Sequence, residues 1–500
     1  MAKYSGTHMA NVHLLSNLEP FRYADFSFIW NSCKAIRDRL DGNGLHLYPL
    51  AYWDWPNTPD TADITQIERD RLWFEIWARY SWKLDRDPAA ERDYWIGHLI
   101  EIYGDRKAAE GIYEAYDASG ECAPRILRRF GITGGNRQCL ELGMRLEQLT
   151  DPKKFRVWQE LYDSDSPLGE TITQYIANEY ANKPHVGETP PQIIEEVPAF
   201  SAKAVEQIEM AAPHVKKNNE EFARLRNDIH CIEAMGKSYC GKVQAAMMIH
   251  RYLNSKDTAY MKKALPLLEE SLVHYKKLEE LTRDVYRYFN AFHGRQSIPW
   301  LKVYHWSHLV DDYEKELADF KKKVAALDGK TPTNNGINKT NAKPWQPAKF
   351  KLLTEGVETY KVKKGAKVFT DRDYSINDIA PQLVGLTGMR FSHGKAKKGA
   401  LIKIDFEVAE SVKVLVGYFD SEKKEWLQVP ALEHVVHAND RGGIDAVLEN
   451  VAQIGDAKLS LPKVNVHAFK YDKGKHILEM IGNGSYIILG VVPADAKLVK

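Results

Sequence analysis

From Glu68 to Ala326 apolar residues recur in long stretches at helical spacing, and beyond Pro347 they recur at strand spacing instead. A chain whose hydrophobic period changes between two such long regions has to bury two kinds of layer, so it divides into domains. The change falls at Asp328–Pro347 (DGKTPTNNGINKTNAKPWQP), a polar, aperiodic stretch rich in Gly, Pro and Asn. That is linker chemistry. With 500 residues the chain has room for roughly two to four domains.

Ahead of the helices, the first fifty residues read as strand, helix, strand. Asn11–Ser16 (NVHLLS) is a short apolar run. Phe26, Ile29, Trp30, Cys33, Ile36 and Leu40 follow at helical spacing, and Leu45–Leu50 (LHLYPL) is a second strand-like run. A strand, a crossover helix and a strand form a parallel βαβ unit. One unit cannot close a barrel, which takes about 250 residues. Either this unit packs against something else, or it is the end of a barrel with earlier strands upstream. Helices are then expected at Glu68–Trp82, Pro88–Tyr103, Arg106–Ala118, Asn136–Leu149 and Leu168–Ala181, with a break at Thr189-Pro190-Pro191. A second block runs from Ala202 to Ala326, where Pro266 is expected to open a helix reaching Phe289. Strands are expected at Ala400–Phe406, Ser411–Phe419, Asn465–Phe469, His476–Met480 and Tyr486–Val492. The resulting expectation is a multi-domain α+β chain. Residues 1–66 are the terminal strands of a (β/α) barrel, 67–198 a helical region packing on it, 199–327 a helical bundle, 328–347 a linker, and 348–500 an antiparallel β-sandwich.

Charge and composition exclude several classes. Lys+Arg and Asp+Glu nearly cancel, at formal net charge +1, and no basic stripe stands out, which argues against nucleic acid as the partner. No apolar run approaches the ~20 residues of a membrane helix. Met1–Ala10 lacks the pattern of a secretory signal. Cys33, Cys122, Cys139, Cys231 and Cys240 are odd in number and include no C-x-x-C pair, the pattern of reduced core cysteines. Gly131–Gly135 (GITGG) lacks the Lys-Ser/Thr ending of a phosphate loop. Asp371, Asp373 and Asp378 read as surface acids before they read as a calcium site. No cofactor is called for, and the oligomeric state is open.

Chemistry concentrates where strands end. In β/α barrels the long βα loops carry the reaction, which directs attention to Asn17–Asp25 and to the segment after Leu50. Glu19 lies in the first, in Asn17-Leu18-Glu19-Pro20. Asp54 lies in the second, in Tyr52-Trp53-Asp54-Trp55-Pro56. Two carboxyl groups across a scissile bond are what glycoside hydrolysis needs, one protonating the leaving oxygen and the other activating water or attacking. Glu19 is equally readable as a solvated or capping residue, and Asp54 as a structural or sugar-holding one. Trp53 and Trp55 are either core or stacking faces for a pyranose. Helical spacing places Trp73, Trp77 and Trp95 in a core. His13 and His46 sit at comparable points of the two strands and read first as buried, hydrogen-bonded strand histidines; with Tyr48 beside them, all three are also substrate-binding candidates. Arg22 is suited to bidentate binding of a substrate carboxylate, or to an ordinary surface ion pair.

Three segments, NVHLLSNLEP, GLHLYPLAYWDWP and WFEIWARYSWKLDRDPAAERDYW, resemble the end of the catalytic barrel in α-glucuronidase-type glycoside hydrolases. The resemblance implies that Glu19 belongs to a general-base apparatus and that the general acid comes from an earlier strand. VFTDRDYSINDIAPQLVGLTGMRFS and VKVLVGYFDSEKKEWLQVP resemble galactose-binding-like sandwiches, often appended to polysaccharide-degrading enzymes of Bacteroidetes. That placement implies a periplasmic or secreted parent protein. Two functions follow as expectations. The first is a glycoside hydrolase acting on a plant or algal oligo- or polysaccharide, uronic-acid-containing by the resemblance. The second is a non-catalytic carbohydrate-binding or scaffold protein.

Overall fold

The side-chain Oδ1 of Asp25 accepts the backbone N–H of Phe28 at 2.7 Å and so starts the helix Phe26–Asp38 (α1). This helix connects two strands, Met9–Val12 (β1) and Gly44–Leu47 (β2), which pair in parallel with Asn11 opposite His46. The computed structural model describes residues 7–12, 21–47, 58–130, 144–150, 168–287, 305–328, 343–397, 401–421, 426–427, 443, 446–456, 459–480 and 485–498. The chain is α+β and has more than one domain, dividing into two compact units; the described residues of one run to Asp328, those of the other from 343 onward.

Helices fill the first unit after β2. They are Gln66–Arg69 (α2), Arg71–Trp82 (α3), Pro88–Tyr103 (α4), Arg106–Gly120 (α5), Cys122–Phe130 (α6), Leu146–Thr150 (α7), Ile172–Tyr180 (α8), Pro190–Ala211 (α9), Asn219–Ser255 (α10), Ala259–Thr282 (α11) and Trp306–Asp328 (α12). The expected helix Glu68–Trp82 is two, because Asp70 at ψ 17° ends a turn that Thr65 and Glu68 close as a capping box. Thr189-Pro190-Pro191 opens a helix where a break was expected. A proline at the first helical position has no N–H that the helix needs. Pro266 lies inside α11 and does not open it, and the helix ends at Thr282. An interior proline costs about 3 kcal/mol. Met261, Ala264, Leu268 and Ser271, buried along one face, offset it.

The 37-residue α10 is the spine of this unit, flanked by α9 and α11. Two glycines permit the approach. A Cβ on Gly236 would sit 3.1 Å from Val197, and one on Gly241 3.3 Å from Ser271. Ser271 donates its hydroxyl to the Ser238 carbonyl at 2.7 Å. Further along, the buried Lys242 donates to the Met144 carbonyl and pairs with Glu316, both at 2.7 Å, and lies over the Tyr313 ring. Burial pushes its pKa down to about 8. Cys33, Cys122, Cys231 and Cys240 are buried in helices; Cys139 lies outside the described residues. No described helix is long and apolar enough to cross a membrane.

The second unit holds two antiparallel sheets. The larger has the order β4-β6-β12-β8-β10-β9-β5, formed by Glu358–Lys361 (β4), Ser375–Ile379 (β5), Thr387–Arg390 (β6), Val412–Phe419 (β8), Ala446–Gly455 (β9), Val464–Tyr471 (β10) and Tyr486–Pro493 (β12). The smaller has the order β11-β7-β3, formed by Lys351–Leu352 (β3), Ile402–Val408 (β7) and Gly474–Met480 (β11). Along β7, Ile404, Phe406 and Val408 are buried in alternation, and Phe406 meets Tyr471 of the larger sheet edge-on at 5.1 Å. All five expected strands are present; β3, β4, β5, β6 and β9 were not read from the sequence. Asp371 accepts from Ser392 Oγ (2.8 Å) and from the backbone N–H groups of His393 and Gly394 (2.7 and 3.0 Å), and Asp373 pairs with Lys367.

Residues 343–500 carry their own core, with Val414, Leu415, Val416, Ile487 and Leu489 fully buried. Expressed alone, this fragment should give a β-type circular-dichroism spectrum and one cooperative melt. A spectrum of unfolded chain would count against its independence.

Candidate functional site

Two chain segments leave the carboxyl ends of the paired strands, residues 13–20 after β1 and 48–57 after β2. His13, Glu19, Tyr48, Trp53, Asp54 and Trp55 fall in these segments, outside the described residues. His46 and Arg22 are described. His46 is exposed on β2, one residue before its last. Arg22 is 1% exposed and lies among carboxylates of the protein itself.

Residues Phe21 to Phe26 are all buried. The Arg22 guanidinium donates from Nη1 to Asp228 (3.0 Å), from Nη2 to Asp60 (3.3 Å) and to Glu221 (2.9 Å), and from Nε to Glu221. Its backbone N–H donates to Asp228 at 2.9 Å. Asp60 also pairs with Arg224 and accepts the Ala62 N–H at 2.7 Å. Burial disfavours the Arg22 charge, but the negative charge of Asp228, with that of Glu221, reverses the balance and holds it protonated. The sequence offered Arg22 a substrate carboxylate or a surface ion pair. The structure places it in the interior, with four of its hydrogen bonds made to three protein carboxylates.

Aromatic rings and backbone bonds seal this cluster. Phe21 stacks on Trp306 (5.4 Å between centroids) and meets Tyr286 edge-on at 5.8 Å. The Tyr286 hydroxyl donates to Asp228 Oδ1. Asp60 bridges Tyr286 in an antiparallel pairing, in which Thr61 N–H reaches the Val285 carbonyl (2.9 Å) and Arg287 N–H the Pro59 carbonyl (2.8 Å). The returning ends of both segments, at Phe21–Arg22 and Thr58–Asp60, are thereby fixed to each other and to the start of α10. Asp60, Glu221, Arg224, Asp228 and Tyr286 gave no signal in the sequence, because each lies at least 38 positions from Arg22 and none forms a local motif.

Three of the five described tryptophans near the second segment are core residues. Trp73, Trp77 and Trp95 are each 1% exposed. Trp30 is half-buried and lies flat on Tyr80, 5.3 Å between centroids and 5° between planes, with Lys34 over its ring. Trp82 alone among them is exposed, at 89%. Among the described residues no group of three or more His, Cys, Asp or Glu is arranged to hold a metal ion.

Asp25 is fully buried. Its Oδ2 finds no donor among the described residues, and the carboxyl beside it is that of Asp117, so a proton on Asp25 completes the contact. Burial, then the charge of Asp117, raises its pKa well above the carboxylate range. A folded pKa above the unfolded one gives stability that is full below about pH 4 and is lost as pH rises through the folded value. Asp25→Asn keeps the cap to Phe28 and removes the ionisation. Thermal melts from about pH 4 to 8 should show the wild type losing melting temperature relative to this variant as pH rises. Parallel curves would rule out the raised pKa.

No family model matches the chain, and no curated protein matches it in sequence. Among solved structures, the chain is similar to a GH138 enzyme targeting pectin rhamnogalacturonan II, with 36% identity and a TM-score of 0.74 over 99% of this chain. The chain spans 57% of that enzyme's length.

Proposed function

We propose that the chain is part of a glycoside hydrolase that acts on a plant polysaccharide, with pectic oligosaccharides as the substrate class. The observation that carries this reading is the similarity to the GH138 enzyme over 99% of the chain at 36% identity. The parallel β1–α1–β2 unit supports it independently, since β/α barrels place their chemistry at the carboxyl ends of such strands. The α-glucuronidase-like resemblance of the same segments adds a uronic-acid unit to the proposed substrate. A periplasmic or secreted parent protein belongs to the same reading.

In this reading Glu19 and Asp54 are the carboxyl groups of the site. Glu19 activates water or a hydroxyl, and Asp54 assists it or holds a sugar hydroxyl. Trp53 and Trp55 stack on pyranose faces, and His13, His46 and Tyr48 supply polar contacts. Steady-state kinetics of Glu19→Gln, in the longest protein that contains this chain and on rhamnogalacturonan II oligosaccharides, tests the assignment. A general base contributes about 10²–10⁴-fold, so kcat should fall by about 100-fold or more with KM little changed. If KM alone rises, Glu19 binds sugar and Asp54 takes the lead. If the wild type does not turn over any pectic oligosaccharide, the hydrolase reading fails.

A further inference from the structure

Arg22 follows the last described residue of β1, Val12, by ten positions, and Asp60 follows that of β2, Leu47, by thirteen. Arg22 and Asp60, 38 residues apart in sequence, meet in an ion pair of 3.3 Å. We propose that Arg22 is a positioning residue that fixes the ends of both strand-following segments against each other and against α10. The inference rests on the function proposed above, because Glu19 lies three residues before Arg22 and Asp54 six before Asp60.

Three features distinguish this cluster from an ordinary buried ion pair. First, it grips main chain as well as side chain. One oxygen of Asp228 accepts both the backbone N–H of Arg22 (2.9 Å) and its Nη1 (3.0 Å), so the carboxylate sets the direction in which the chain passes residue 22. Second, the planar fork is used on two edges: Nε and Nη2 face Glu221, and Nη1 faces Asp228. A lysine carries the same charge and cannot satisfy that geometry. Third, both segments depend on the same helix. Asp228 holds Arg22, Arg224 holds Asp60, and the two anchors stand four residues apart on α10. A shift of α10 therefore reaches both segments together. A misplacement of about 1 Å can cost about 100-fold in rate, so a clamp outside the reacting centre can still set kcat.

The test compares Arg22→Lys and Asp60→Asn with Lys242→Met, which breaks a buried ion pair elsewhere on α10. All three should lower the melting temperature. In the longest protein that contains this chain, Arg22→Lys and Asp60→Asn should lower kcat on rhamnogalacturonan II oligosaccharides by 10-fold or more (~1.4 kcal/mol). Their KM should stay within about two-fold, and Lys242→Met should leave kcat per folded molecule unchanged. Hydrogen exchange supplies a readout that does not depend on turnover. In both clamp variants, exchange in peptides covering 21–26 and 58–63 should rise together, and in Lys242→Met it should not. If the wild type proves inactive, the proposed function fails and the exchange result still decides the clamp. The inference is overturned if exchange rises in only one segment or in neither. It is overturned equally if kcat falls no further in Arg22→Lys than in Lys242→Met.

Discussion

A buried guanidinium with no aqueous edge is the constraint on which the first unit is organised. Removing an arginine from water costs several kcal/mol, and that cost is recovered only where carboxylates meet it with good geometry. Arg22 meets Asp60, Glu221 and Asp228, which come from a loop and from two levels of one helix. Two of these acids are not free to move alone. Asp60 is also bound by Arg224 and Asp228 by Tyr286, so displacing either leaves another charge or hydroxyl unmatched in the interior. The cluster works as a single unit.

The long helix Asn219–Ser255 makes that possible. Its first turns carry Glu221, Arg224 and Asp228, and its middle packs through Gly236 and Gly241 against the helices on either side. Glu220 and Glu221 in the first turn also suit the positive end of the helix dipole. Farther along, Lys242 reaches Glu316 and the Met144 carbonyl and holds the start of Leu146–Thr150. One helix thus presents a polar cluster at one end and a cationic anchor about one and a half turns past its midpoint, with apolar packing between them. The rigidity of the polar cluster comes from that packing, because buried ion pairs are exacting in geometry and poor at creating it.

Elements with local punctuation were legible in the sequence, and elements defined by distant partners were not. The helix Pro88–Tyr103 was read to the residue because Asp87 caps it, Pro88 opens it and Gly104 closes it at φ 83°. The strands Val412–Phe419 and Tyr486–Pro493 were read because they are buried almost throughout. Ala446–Gly455 was missed. Asn450 stands at φ 52° within it, and the register against Val464–Tyr471 shifts, so its apolar residues do not alternate. Glu358–Lys361 was missed because an edge strand with one buried residue has no period to detect. Around the candidate site, the strand–helix–strand order and the place of Arg22 after the first strand were visible. The depth of Arg22 was not, since it depends on residues up to 206 positions away.

Among the described residues the paired strands contribute four residues each, and a parallel pair is stable only when other elements cover it. At the amino end, the His8 carbonyl accepts the Asn43 N–H and the Asn43 side chain accepts the His8 N–H, each at 2.8 Å. At the carboxyl end, the described anchor is the Arg22 cluster. The sheet sets the course of the chain up to Val12 and Leu47, and the helix Asn219–Ser255 fixes it at Arg22 and Asp60. Sensitivity to substitution around the candidate site should therefore follow the contacts of Asn219–Ser255 more closely than those of the strands. A side chain on that helix, Asp228, then fixes the course of the chain at Arg22.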